Sequence, residues 1–159
     1  MNRTRRAGRS ASRPRGFTLI ELMIAVAIVG ILVGIALPTY RAYIVRGKLV
    51  AGTSALASLR TSMEQYYLDN RTYLDASTNI KSPCSFATAG SNVADTFTLS
   101  CTGLTAATYK LVATGAGPTL GAVYTVDQRG LQTTEGLPSV LGDLPASHKC
   151  WIMRRGDAC

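Results

Sequence analysis

The chain has 159 residues, four cysteines and a formal net charge of +8, enough length for one globular domain and an appendage. The basicity is not spread over that domain. Residues 1–16 hold six arginines (Arg3, Arg5, Arg6, Arg9, Arg13, Arg15) and no acid, leaving +2 for the rest of the chain, which excludes a uniformly basic nucleic-acid-binding surface.

A positive segment beside an apolar run is the layout of a targeting signal whose basic flank stays in the cytoplasm. A nucleic-acid-binding arm is the rival reading of the arginines. From 17 to 37 the sequence is apolar apart from Thr18 and Glu21, and 21 residues at helical rise measure about 31 Å, the thickness of a bilayer's hydrocarbon core. Gly30 and Gly34 in this run form a G-x-x-x-G pair, a small-residue face that permits close helix approach or local unwinding. Pro38 should kink the helix or break its hydrogen bonds locally, because it lacks the N–H and crowds the preceding turn.

Beyond Pro38 the pattern turns amphipathic. Ala42, Val45, Leu49, Gly52, Leu56, Leu59, Met63 and Tyr66 recur at spacings of three and four, with Arg46, Lys48, Ser54, Arg60 and Glu64 between them. This predicts one helix continuing to about Leu68, its apolar stripe laid on a sheet or serving as a coiled-coil seam. The segments 95–101, 108–114 and 120–127 are β-rich. In the second, Tyr109, Leu111 and Ala113 alternate with Lys110, Val112 and Thr114. "DQRG" (127–130) predicts a turn with Gly130 at positive φ, returning into a strand at "LQTTE". Residues 136–147, with Pro138 and Pro145, read as loop. The fold class expected is α+β, a long N-terminal helix covered over its second half by a small antiparallel meander.

Cys84, Cys101, Cys150 and Cys159 all follow the apolar run. None is spaced C-x-x-C and His148 is the only histidine, so no metal site is expected. An even cysteine count downstream of an export signal reads as two disulfides. Of three connectivities the local one, Cys84 with Cys101 and Cys150 with Cys159, is the expectation. The sequence holds no G-x-S-x-G, H-E-x-x-H, P-loop or dinucleotide turn, so neither an enzyme nor a cofactor is expected. Asp69 and Asp75 flank a turn and read as caps or solvated residues. Asn70-Arg71-Thr72 fits a glycosylation sequon as a pattern only, and Arg155-Gly156-Asp157 reads as a chance tripeptide. Lys149, Arg154 and Arg155 surround Trp151 near the C-terminus. The tryptophan suits a structural anchor, and the cations suit phosphate contact on DNA.

Residues 16–40, "GFTLIELMIAVAIVGILVGIALPTY", resemble the class III signal of type IV pilins. "YYLDNRTYLD" (66–75) resembles the aromatic segment after the long helix of that family, and "KCWIMRRGDAC" resembles the Cys-bounded loop of PilE-like pilins. The resemblance implies a leader, 1–16, cut after Gly16 by a prepilin peptidase at the cytoplasmic face, and N-methylation of Phe17. It also implies a transmembrane and polymerisation helix over 17–44 and a globular head over 45–159. Phe17, Glu21, Gly30, Gly34 and Pro38 are then assembly residues, with Glu21 meeting the amino terminus of a neighbouring Phe17. A carboxylate in hydrocarbon costs at least a few kcal/mol, so it penalises faulty stacking as well as attracting the right partner.

The implied function is a structural subunit of a type IV pilus, serving adhesion, twitching motility or DNA uptake. The implied partners are other pilin subunits, the peptidase, the pilus assembly machinery and the inner membrane. The precursor would sit in that membrane with a periplasmic head and the assembled pilus at the cell surface. A type II secretion pseudopilin, or a minor pilin acting as DNA receptor, are the alternatives.

Overall fold

The computed structural model describes residues 16–88, 93–94, 96–145, 148–157 and 159; the arginine-rich residues 1–15 lie outside this set. Helix α1, Leu19–Asn70, takes up 52 residues, ending two residues beyond the predicted Leu68. It continues through Pro38, so the expected kink leaves no break in the helix. The missing Pro38 N–H would have met the carbonyl of Gly34, four residues back, at a position whose absent side chain leaves open space around it. Chain contacts divide the protein into two compact units, Met1–Pro38 and Thr39–Cys159.

In the first unit every described residue is exposed, Phe17 at 85 % and the large apolar residues of 19–37 among them. The first part of α1 is thus apolar nearly all round and exposed along its described residues, the condition of a helix solvated by lipid or by other helices.

The second unit holds the core. Along α1 the buried residues are Val45, Leu49, Gly52, Thr53, Leu56, Leu59 and Met63, the predicted stripe without its two ends, Ala42 and Tyr66, which are half-buried, and with Thr53 added because its hydroxyl bonds back to the carbonyls of Leu49 and Val50. The stripe lies on a sheet, not in a coiled-coil seam: it shares one cluster with Phe97, Leu99, Tyr109, Leu111, Ala113, Tyr124 and Val126. Among the described residues the sheet has five strands in the order β1 (Val93–Ala94), β2 (Phe97–Thr102), β3 (Lys110–Gly115), β4 (Val123–Asp127) and β5 (Gln132–Gly136), all antiparallel neighbours. This is the expected α+β meander. In β3 the predicted alternation holds, with Tyr109, Leu111 and Ala113 buried and Lys110 and Thr114 exposed.

Gly52 marks the closest approach of helix and sheet. A Cβ there would stand 2.5 Å from a ring carbon of Phe97, so only glycine lets the ring lie on the helix. The turn after β4 is the predicted one: Gly130 has φ +81° and the Asp127 carboxylate accepts the N–H groups of Arg129 and Leu131 at 2.9 Å each. Burial alone would push the Asp127 carboxyl up, but those N–H groups and the Arg129 guanidinium outweigh it and hold its pKa low. The space above Gly130 is occupied by the Arg60 guanidinium, 3.1 Å from where a Cβ would stand.

Two kinds of short element were not foreseen. Helix α2, Pro83–Thr88, opens on a proline, whose missing N–H costs nothing in a first turn. Residues 136–147, read as loop, include a 3-10 turn at Ser139–Leu141, and a second such turn, Gly117–Thr119, shortens the expected strand 120–127 to Val123–Asp127. Both follow a local signal, a proline ahead of a residue that buries: Thr119 after Pro118, and Leu141 after Pro138.

Candidate functional site

The residues singled out in the sequence gather at two places. The first is the start of α1. Gly16, Phe17 and Thr18 precede the helix, and the Thr18 hydroxyl accepts the N–H of Glu21 at 3.3 Å while the Thr18 carbonyl accepts that of Leu22 at 3.2 Å. Thr18 is therefore the N-cap and Glu21 the third helical residue, the order of a capping box. The T-x-x-E spacing is the sequence signal for this cap, and Thr18 was not among the expected site residues. An acid in the first turn also meets the positive end of the helix dipole. Gly16, Phe17, Thr18 and Glu21 line one shallow hollow, so the bond at which cleavage is expected, between Gly16 and Phe17, is local to the acid. Gly30 and Gly34 are open on all sides, with no atom within 4 Å of a built Cβ.

The second place is the C-terminal loop. Cys150 bonds to Cys159, with Cα atoms 5.6 Å apart, and Cys84 to Cys101. The loop is fastened to the sheet by hydrogen bonds from four directions. The Thr134 N–H donates to the His148 carbonyl at 3.0 Å. The Thr134 hydroxyl donates to the Cys150 carbonyl at 2.6 Å and accepts the Ile152 N–H at 3.0 Å. The Tyr124 hydroxyl donates to the Ile152 carbonyl at 2.6 Å, and burial pushes its pKa far up, with Asp157 adding to the rise. The Trp151 indole N–H donates to the Thr125 carbonyl at 3.0 Å.

The residues Thr134, Tyr124 and Asp157 were not anticipated. Asp157 shapes the tip: its carboxylate accepts the N–H groups of Met153 and Arg154 at 3.3 and 2.9 Å, and Gly156 takes φ +83°. Arg154, Arg155 and Lys149 are exposed. Trp151 thus serves as an inward anchor while the cations face solvent. One oxygen of the Asp157 carboxylate is engaged within its own turn, a local structural role for the acid of Arg155-Gly156-Asp157.

Other candidates resolve into structure. Asp75 accepts from the Ser85 hydroxyl at 2.6 Å, Lys81 at 2.9 Å and the Ser82 N–H at 2.8 Å, which together lower its pKa to about 2. Asn70 donates its side-chain amide to the Tyr66 carbonyl at 3.0 Å, an end-of-helix bond that occupies the sequon's nitrogen. Glu64, read from the sequence only as one of the polar residues between the apolar positions, accepts from Tyr109 at 2.6 Å and Tyr73 at 3.2 Å. Burial first and Glu64 second raise the pKa of both phenols. Among the described residues no three His, Cys, Asp or Glu side chains lie together as metal ligands would.

Residues 11–37 match the prokaryotic N-terminal methylation motif, and residues 38–123, more than half of the chain, match the family described as type IV minor pilin ComP, DNA uptake sequence receptor. The type IV major fimbrial protein FimA of Dichelobacter nodosus is 48 % identical over 60 residues, 38 % of each chain. A fimbrial protein of Pseudomonas aeruginosa is 42 % identical over 64 residues, 40 % of this chain and 42 % of its own. The type IV major pilin protein PilA of Myxococcus xanthus is 40 % identical over 75 residues, 47 % of this chain and 34 % of its own. The chain thus matches well under half the length of these curated relatives. A methylation motif running into a pilin domain, on a lipid-ready helix that carries an antiparallel meander, settles the family: the chain belongs to the type IV pilins.

Proposed function

We propose that the protein is a structural subunit of a type IV pilus. Residues 1–16 are removed after Gly16, and Phe17 becomes the methylated amino terminus. The segment 17–44 holds the subunit in the inner membrane and then in the filament core, and 45–159 is the head. The observation that carries this reading is the wholly exposed apolar segment with one acid, Glu21, in its first turn. Bare apolar surface on this scale calls for lipid or for identical helices around it. An acid at its start rewards a neighbour that brings a positive amino terminus.

Glu21→Val should leave cleavage and membrane insertion intact while incorporation into sheared filaments falls sharply; mass spectrometry of the membrane pool should find chains beginning at methylated Phe17. Normal incorporation of the variant would overturn the pairing, and a mature terminus near Thr39 would overturn the reading as a whole.

A second role, DNA contact as a minor pilin, is favoured by one observation: the loop bearing Lys149, Arg154 and Arg155 is clamped to the sheet with its cations outward. The match to the DNA-receptor family ends at residue 123, before this loop, so the loop stands on its own geometry. Phosphate contact predicts duplex binding that weakens steeply with salt and falls again in Arg154→Ala/Arg155→Ala. Equal binding by the wild type and the double variant would reduce the loop to a structural clasp.

A further inference from the structure

The second unit carries an apolar groove of about 650 Å³ at the beginning of its helical segment. One wall is the helix, through Tyr40, Arg41 and Ile44; the other is formed by the two 3-10 turns, through Pro118, Leu120 and Val140. Leu120 is 72 % exposed, and Tyr43, next in sequence to Ile44 of the lining, is 74 % exposed. These tips have no freedom to fold back. Thr119 is fully buried and its hydroxyl meets Thr96 and the Ala116 carbonyl, which fixes the first turn and points the next residue, Leu120, out. Leu141 is buried and its N–H meets the Pro138 carbonyl, which does the same for Val140 in the second. The fold thus holds apolar side chains in solvent on rigid supports.

We propose that this groove is a seat for the phospholipid bilayer surface, so that the subunit stored in the membrane rests the Leu120 and Val140 tips at the headgroup–acyl boundary. The inference rests on the reading that 17–44 holds the subunit in the membrane, with 17–37, the apolar part, crossing the hydrocarbon core. Tyr40 is three residue steps from Leu37, and three steps in any conformation reach at most about 11 Å. The headgroup layer on each face is about 5–8 Å deep. Tyr40, one end of the groove's helical wall, therefore lies in or next to that layer whatever the backbone does at Pro38. The chemistry fits the depth. Two exposed tyrosines match the aromatic belt of membrane proteins. Arg41 is the one charged residue in the lining, and no acid lines it; its stem can lie along apolar surface while the guanidinium reaches lipid phosphate. Asp143, the nearest acid after the second turn, is outside the lining.

The test uses the full chain in nanodiscs loaded at one chain per disc, with lipids brominated part-way down the acyl chain. Trp151 is the only native tryptophan, and its emission in the wild type sets the level of background quenching. Leu120→Trp should add emission that is quenched several-fold more strongly than that of Trp151, and Val140→Trp should repeat the result at the other turn. If neither introduced tryptophan is quenched more than Trp151, the proposal is wrong. Emission that is blue-shifted but unquenched, and appears only with two chains per disc, would assign the groove to a second copy and equally overturn it. Amide exchange over 22–37 in the same discs separates the two levels: slow exchange there with unquenched Leu120→Trp removes the lipid seat alone, whereas fast exchange removes the membrane-span reading beneath it.

Discussion

The clasp on the C-terminal loop depends on one hydroxyl, and Thr134→Val isolates it. Valine has nearly the shape of threonine, and residue 134 is fully buried, so the substitution leaves packing almost unchanged while deleting a donor and an acceptor together. The Ile152 N–H loses its 3.0 Å partner and the Cys150 carbonyl its 2.6 Å partner. Ile152 is 1 % exposed, so its N–H bears the full desolvation cost, whereas half-buried Cys150 regains water. At about 1–3 kcal/mol for an unsatisfied buried group and less for the carbonyl, the loss comes to about 2–4 kcal/mol. The remaining ties, the Thr134 N–H to the His148 carbonyl, Tyr124 to the Ile152 carbonyl and Trp151 to the Thr125 carbonyl, contribute about 1 kcal/mol each. The loop should therefore detach before the sheet unfolds. The Cys150–Cys159 bond does not prevent this, because it closes the loop on itself.

Trp151 sits in the loop and reports its release, so urea titration of the full chain in detergent, followed by tryptophan emission and by circular dichroism, should show two separated transitions in Thr134→Val and one in the wild type. Thr134→Ser keeps the hydroxyl and loses a methyl group, about 0.8 kcal/mol, and should retain a single transition. If the valine and serine variants melt alike, packing holds the loop and the hydrogen-bond argument fails.

Two glycines on one helix should respond in opposite senses to alanine: Gly47, with nothing within 4 Å, should gain up to about 1 kcal/mol in helix propensity. Gly52→Ala gains the same but forces a Cβ to 2.5 Å from fully buried Phe97, an overpacking cost of about 1–3 kcal/mol; a thermal melt showing Gly52→Ala more stable than wild type would refute the close-approach argument. At Asp75 the folded pKa of about 2 lies below the unfolded value of about 3.9, so its ties to Ser82, Ser85 and Lys81 are intact above that value and are lost as pH falls toward 2. Carboxyl titration by NMR should place the midpoint near 2, and Asp75→Asn should remove the acid-dependent loosening of residues 75–85; a midpoint near 4 would contradict the structure.

What the sequence made legible divides by the range of the forces involved. The stripe from Val45 to Met63 and the alternation at Tyr109, Leu111 and Ala113 repeat over many residues, so each error of one position is corrected by the next, and both were read nearly to the residue. The turn at Gly130 was legible because one dipeptide step requires positive φ. The 3-10 turns were not, because what fixes them is a single buried side chain, Thr119 or Leu141, whose partner Thr96 or Pro138 shows no periodic sign. Glu64 escaped for a related reason. A charged residue beside an apolar stripe looks solvated until Tyr73 and Tyr109, from a loop and the edge of a strand, arrive with two phenols for its carboxylate.

The same division separates the two candidate sites. The reading of residues 16–21 needs nothing from the folded chain. The partners proposed for them, a peptidase, a membrane or a neighbouring subunit, would read a contiguous run, so the run itself carries the proposal, and the structure adds only that Thr18 starts the helix and puts Glu21 in its first turn. The C-terminal loop showed its cations in the sequence but not what aims them. Thr134 and Tyr124 stand sixteen and twenty-eight residues from the carbonyls they hold, and neither differs in type from any other strand residue. Arg154 and Arg155 on a free tail would lose conformational entropy on meeting a phosphate backbone, about 2 kcal/mol of rotamer freedom for each side chain besides that of the chain. With the loop clamped, the backbone share of that cost is met in folding. A releasing substitution such as Thr134→Val, which touches no cation, should therefore weaken duplex binding if Arg154 and Arg155 make it, and leave binding unchanged if the arginines act only as mobile charge.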